Sequence, residues 1–154
     1  MKNIITTALA TLILMIGFSQ PQKDEAILTT YYAVKDALVK GDDKLAATSA
    51  SELVKQMEAF TTSDKKAQQL KDKIKADASK IASASSLTAQ REAFTPMSVN
   101  FFELAKLVDL SSSPVYQFYC PMKKAIWLSS ENSVKNPYYG KQMLTCGSLQ
   151  ETLK

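Results

Sequence analysis

The chain carries two cysteines and no histidine, and each cysteine has a methionine close by. Cys120 and Met122 stand in Tyr119-Cys120-Pro121-Met122, and Met143 and Cys146 in Met143-Leu144-Thr145-Cys146-Gly147. Thiolate and thioether sulfurs are soft donors that select Cu(I) over harder ions. In extended backbone, residues two apart project to the same side, and Pro121 fixes the local φ. Residues three apart share a face of a helical turn. Each cluster can thus aim two sulfurs at one point, giving a donor set of up to four. Zinc suits this set less well, because only two of the sulfurs are thiols and imidazole is lacking. The same residues allow a second reading, a Cys120–Cys146 disulfide. Closing that loop would stabilise the fold by roughly 3 kcal/mol in the chain-entropy model.

Without histidine there is no Ser-His-Asp or Cys-His nucleophile pair, no HExxH zinc helix and no imidazole copper site. The four glycines, Gly17, Gly41, Gly140 and Gly147, are isolated, so no phosphate-cradling loop is present. No spacing singles out a pair of carboxylates. The composition therefore points away from an enzyme.

The elements that would position the sulfurs begin after a leader. Met1-Lys2-Asn3 carries one positive charge, Ile4 to Phe18 is uncharged and largely apolar, and Gly17-Phe18-Ser19 offers small residues for cleavage after Ser19. Residues 1–19 read as a secretory signal peptide, since the apolar run falls below the roughly 18–20 residues of a spanning helix. The expected mature protein, residues 20–154, is periplasmic or secreted, has no transmembrane segment after cleavage, and forms a single domain. Loss of Lys2 takes the formal charge from +4 to +3. That is too mild a charge to imply nucleic acid.

Residues 24–108 show four helical patterns. Ile27, Tyr31, Val34 and Leu38 repeat at helical spacing up to Gly41. Asp42 or Asp43 can cap a second helix, to about Phe60, carrying Ala46, Ala50, Leu53 and Met57. Thr62 or Ser63 can cap a third, over about 64–82, with Ala67, Leu70, Ile74, Ala78 and Ile81. A fourth, about Leu87 to Val108, places Phe94, Met97, Phe101 and Leu104 on one face, with a kink expected at Pro96. Short connections predict an up-down four-helix bundle, so the fold class is mainly all-α.

After Pro114 the pattern changes. Val115–Cys120 and Ala125–Leu128 are β-branched and aromatic and read as short strand-like segments. Asn136–Gly140 reads as a turn, and Lys141–Cys146 as a helical turn or two. Residues 115–154 form a C-terminal extension too short to fold alone. It must dock on the bundle, and burial of Phe101, Phe102, Tyr116, Phe118 and Trp127 together would hold it and bring Cys120 and Cys146 near each other. Trp127, Tyr138 and Tyr139 are alternatively candidates for a partner-binding surface, because Trp and Tyr lead among interface hot spots.

Several stretches resemble one known family. They are Tyr31 to Asp42, Arg91-Glu92-Ala93-Phe94 with Pro96-Met97-Ser98, Tyr119-Cys120-Pro121-Met122, Ala125 to Ser130, and Asn136 to Gly147. Together they look like the exported family catalogued as a domain of unknown function, number 3347, mostly from Bacteroidetes-type bacteria. Its members occur alone or attached to periplasmic adaptors of heavy-metal efflux pumps, and its Cys-Pro-Met element is similar to a short heavy-metal-binding motif of copper-efflux proteins. This chain has Lys123-Lys124 where that motif continues with His-Pro. The resemblance implies copper binding and an efflux adaptor as partner, while the ligand set Cys120, Met122, Met143 and Cys146 rests on the sulfur spacing.

Overall fold

A computed structural model describes residues 21–153, and side chains from residue 25. The expected signal peptide, residues 1–19, lies outside the described residues. Four helices come first: α1 (Pro21–Lys40), α2 (Asp43–Ala59), α3 (Lys65–Ser83) and α4 (Leu87–Leu107). Three strands follow, β1 (Val115–Cys120), β2 (Ala125–Ser129) and β3 (Ser148–Leu153), with a 3₁₀ turn (Gly140–Gln142) between the last two.

Local chemistry sets the helix ends. Gly41 adopts φ +77; its N–H donates to the Leu38 carbonyl, and that of Asp42 reaches Ala37 at 3.0 Å. This paired pattern closes a helix C-terminus through a left-handed residue. Asp42 then caps α2 by accepting from the Leu45 N–H, and Ser86 caps α4 through Ala89. The cap of α3 is Asp64, which accepts from Ala67 at 2.8 Å. It is neither Thr62 nor Ser63; Thr62 instead accepts from the Asp64 N–H and shapes the turn before the cap. Lys71 of α3 reaches back to the Phe60 carbonyl at 2.6 Å, satisfying an end of α2.

Each helix packs chiefly on its neighbours in the chain, and α4 carries the sheet through β2. The apolar repeat lies inside as the periodicity required: Tyr31, Val34, Leu38, Leu53, Met57, Ile74, Ile81, Phe94 and Phe101 are fully buried. At about 25 cal/mol per Å² of apolar surface removed from water, this repeat is the main term holding the helices. α4 runs as one helix past Pro96, where a kink was expected. Pro96 is exposed, so its ring meets solvent rather than the core.

The sheet has order β2-β1-β3 with both pairings antiparallel. β1 and β2 form a hairpin in register Cys120↔Ala125 to Tyr116↔Ser129, turned by Pro121–Lys124, with Lys124 at φ 54. β3, which the sequence reading left out, pairs with the other edge of β1 and has a register irregularity between Gln117 and Phe118.

Phe101 and Phe102 are both buried but serve different neighbours. Phe101 lies against Tyr31, with ring centroids 4.5 Å apart. Phe102 is crossed by Lys106, whose ammonium lies 4.1 Å from the ring and also pairs with Glu151 of β3.

Candidate functional site

A run of aromatic rings joins the sheet to the bundle. Phe118 stacks on Trp127 at 5.4 Å, Trp127 meets Tyr138 edge-on at 6.2 Å, and Tyr138 meets Phe94 at 5.8 Å. Phe94 in turn stacks on Tyr31 at 5.4 Å. Such ring pairs contribute roughly 0.5–1.5 kcal/mol each beyond their burial. The Tyr31 hydroxyl lies 2.7 Å from Ser98 Oγ and accepts from the Leu128 N–H at 3.1 Å, so one side chain joins α1, α4 and β2. Burial, with the neighbouring Tyr138 hydroxyl, holds the Tyr31 phenol well above its ordinary value.

This corrects one expectation from the sequence. Trp127 is completely buried and Tyr138 nearly so, while Tyr139 is half-buried and packs against the same core. Trp127 and Tyr138, so buried, do not form a partner surface. They bind the extension to the bundle, which is where large rings between two layers gain most from leaving water. The Trp127 indole N–H has no hydrogen-bond partner among the described residues.

On this base the structure places the two cysteines together. Cys120 ends β1 and is fully buried; Cys146 lies in the irregular segment before β3 and is half-buried. Their sulfurs stand 3.8 Å apart. That is well beyond the roughly 2.05 Å of a disulfide, and both are free thiols. The hairpin turn lies against both. The Lys123 N–H donates to Cys120 Sγ at 3.5 Å. The Cys146 thiol is held above its ordinary value by burial and by the adjacent Cys120 thiol, and the backbone N–H of Met122 opposes this by favouring the thiolate.

The methionines are placed differently from the sequence expectation. Cys120 is the last residue of β1, so Met122 belongs to the turn and not to extended backbone; its side chain is 64% exposed. Met143 follows the 3₁₀ turn with φ −143, and the Cys146 N–H reaches its carbonyl at 3.1 Å. Residues 143–146 thus form a single turn rather than a stretch of helix, and Met143 is half-buried.

Two residues that position Cys146 escaped the sequence reading. Asn136 is fully buried. Its Nδ2 donates to the Cys146 carbonyl at 2.7 Å and its backbone N–H to Leu144 at 2.8 Å, while its Oδ1 accepts from Tyr138. An Asn-Pro pair inside a turn was the available signal, since Asn side chains bond backbone two residues on. The second is Gly147, at φ +150, where an added Cβ would meet the Trp127 ring at 2.6 Å and the Tyr119 carbonyl at 3.1 Å. Only glycine lets the chain pass this close to the indole. Arg91 braces the same loop from α4, donating to the carbonyls of Pro137 and Leu38.

As a donor set, the site offers two adjacent thiols with a methionine in each neighbouring turn. Two sulfurs about 2.3 Å from one ion at a roughly tetrahedral angle stand about 3.8 Å apart, so the thiol separation fits a shared ion. Among the described residues no three His, Cys, Asp or Glu side chains converge.

No match was found among curated proteins or among solved structures. A family model described as "Protein of unknown function (DUF3347)" matches residues 27–113, more than half of the chain. The matched stretch covers α1 from Ile27 through α4 and stops before β1, so the cysteine-bearing sheet lies beyond it. By this match across its helical bundle, the chain belongs to that family of unknown function.

Proposed function

We propose that the protein is an exported binder of a soft metal ion, Cu(I) before others, serving copper tolerance or delivery to an efflux system. The observation that carries this reading is the pair of free thiols 3.8 Å apart at the hairpin turn. Thiolates bind soft, low-coordinate cations strongly, and thioethers tolerate the same ions while adding little affinity for zinc or magnesium. Cys120 and Cys146 supply the thiolates, and Met122 and Met143, from the adjoining turns, supply thioether donors as the ion draws them in. The leader-like residues 1–19 support a periplasmic or secreted location. The resemblance supports an efflux adaptor as the receiving partner. The scaffold is an up-down bundle, which the short α1–α2 and α3–α4 connections favour.

The same thiol separation favours a second reading, in which Cys120 and Cys146 close into a disulfide that staples an interaction module without metal. Anaerobic titration of the reduced protein with Cu(I) against a competing chelator separates the two. Uptake of one ion per chain, lost in the Cys120→Ser, Cys146→Ser double variant, supports the metal site. Uptake unchanged in that variant would sink it.

A further inference from the structure

Cys120 and Cys146 share one site but not one exposure: Cys120 is fully buried at the end of β1, and Cys146 is partly open. We infer that Cys146 is a modification site for low-molecular-weight disulfides, that Cys120 resolves the adduct, and that the resulting disulfide closes the site to metal. The inference rests on the reading that these two cysteines form a single site.

The chemistry balances in two exchanges. The Cys146 thiolate attacks one sulfur of R–S–S–R; the Cys146–S–R bond forms, the R–S–S–R bond breaks, and RS⁻ leaves. Cys120 then attacks Cys146 Sγ from 3.8 Å, its proton passing to the departing thiolate sulfur beside it. The Cys120–Cys146 bond forms, the Cys146–S–R bond breaks, and the second R group leaves as RSH. The two cysteines have lost two electrons and two protons, and the oxidant has become two thiols.

The order follows from access. A thiolate must reach the reagent sulfur in line with the bond it breaks, and a fully buried Cys120 leaves no room for such an approach. Once Cys146 carries the adduct, the neighbouring Cys120 needs no path to solvent. The backbone at Cys146 is fixed by Asn136 Nδ2 on its carbonyl and by its own N–H on Met143. Closure therefore comes from side-chain rotation over less than about 2 Å. With both sulfurs in one bond, neither remains a thiolate ligand.

The test exposes reduced, metal-free wild type, Cys120→Ser and Cys146→Ser to oxidised glutathione and follows intact mass. Cys120→Ser should accumulate a glutathione adduct, and Cys146→Ser should do so at least about tenfold more slowly, as access governs thiol reactivity. Wild type should end two hydrogens lighter, and that product should no longer take up Cu(I) against the chelator. Equal adduct rates in the two single variants would overturn the inference, as would undiminished Cu(I) uptake by the oxidised wild type. Should Cys146→Ser fail to fold, peptide mapping of wild type quenched early identifies the first cysteine modified, and Cys120 there overturns it too. If reduced wild type takes up no Cu(I), the metal reading fails, while the adduct rates still decide which thiol reacts first.

Discussion

In α1–α4 the buried side chains recur every three or four residues, and most are aliphatic or alanine. In the sheet and the loop that carries Cys146, order comes from a few large rings and specific polar contacts: Trp127 on Phe118, Tyr138 on Trp127, and Asn136 on Cys146 and Leu144. A periodic core spreads its stabilisation over many similar residues, so one truncation leaves the pattern standing. The extension concentrates it in a handful of contacts, each holding a thiol-bearing segment in place. Such an arrangement gives a defined site at the cost of tolerance to substitution.

Truncating Trp127 should separate the two regions most sharply. Trp127→Ala removes the ring on which Phe118, Tyr138 and the Gly147 segment pack, and should cost about 3–5 kcal/mol in urea denaturation. It should also release the Cys146 segment, lowering the equilibrium constant for Cys120–Cys146 disulfide formation against glutathione. Ile74→Ala, fully buried in α3, should cost about 2–5 kcal/mol and leave the thiol equilibrium unchanged. Equal effects of the two variants on that equilibrium would mean that the regions are not held separately.

Two glycines make the comparison with a single methyl group. At Gly41 an added Cβ would meet nothing nearer than 3.7 Å, so Gly41→Ala carries only the left-handed backbone penalty, about 1–2 kcal/mol. At Gly147 the Cβ would collide with Trp127 and approach the Tyr119 carbonyl. Gly147→Ala adds overpacking to strain and should cost about 1–3 kcal/mol more than Gly41→Ala. Paired thermal melts of the two variants check this ranking.

Titration probes the junction between the regions. Burial raises the phenols of both Tyr31 and Tyr138. A tyrosine in the unfolded chain ionises near pH 10, whereas these two keep their protons when folded. Above that pH the unfolded state binds fewer protons than the native state, so stability falls as pH rises, by up to roughly 1.4 kcal/mol per unit for each. Below pH 9 the effect vanishes. Urea midpoints from pH 8 to 11 should show the decline, and Tyr31→Phe should reduce its slope. A flat profile would place both phenols in contact with solvent.

The two regions also differ in what could be read from sequence. The four helices were legible because their spacing, Gly41 and the Asp42 cap agree, although the cap of α3 falls on Asp64 and not on Thr62 or Ser63. β1 and β2 were legible as aromatic, β-branched runs. β3 was not: Ser148–Leu153 is a polar edge strand, exposed for almost its whole length, and the irregularity beside Phe118 breaks its alternation. The pairing of Cys120 with Cys146 was expected because a short extension has to dock on the bundle. Its means were hidden, since Asn136 and Gly147 act through single contacts that leave no periodic trace. Reading Trp127 and Tyr138 as a partner surface failed for a related reason: composition alone does not say which side of a ring faces the protein.

The smallest expected effect falls on the methionines, and it bears on the ligand set. Met122 is 64% exposed in the hairpin turn, so Met122→Leu should shift stability by no more than about 0.5 kcal/mol. Leucine preserves the volume but offers no sulfur lone pair, so any change in Cu(I) affinity reports coordination and not packing. The turn that bears Met122 already presses its amides toward both thiols. On the proposed metal reading, the exposed Met122 thioether is the freer of the two to turn toward an ion at the thiols, whereas Met143, half-buried after the 3₁₀ turn, has less freedom to move. Competition titrations should therefore show a loss of about tenfold in Cu(I) affinity for Met122→Leu and a smaller loss for Met143→Leu. A reversed ranking would make Met143 the third donor, and no loss in either variant would leave a site of two thiolates alone.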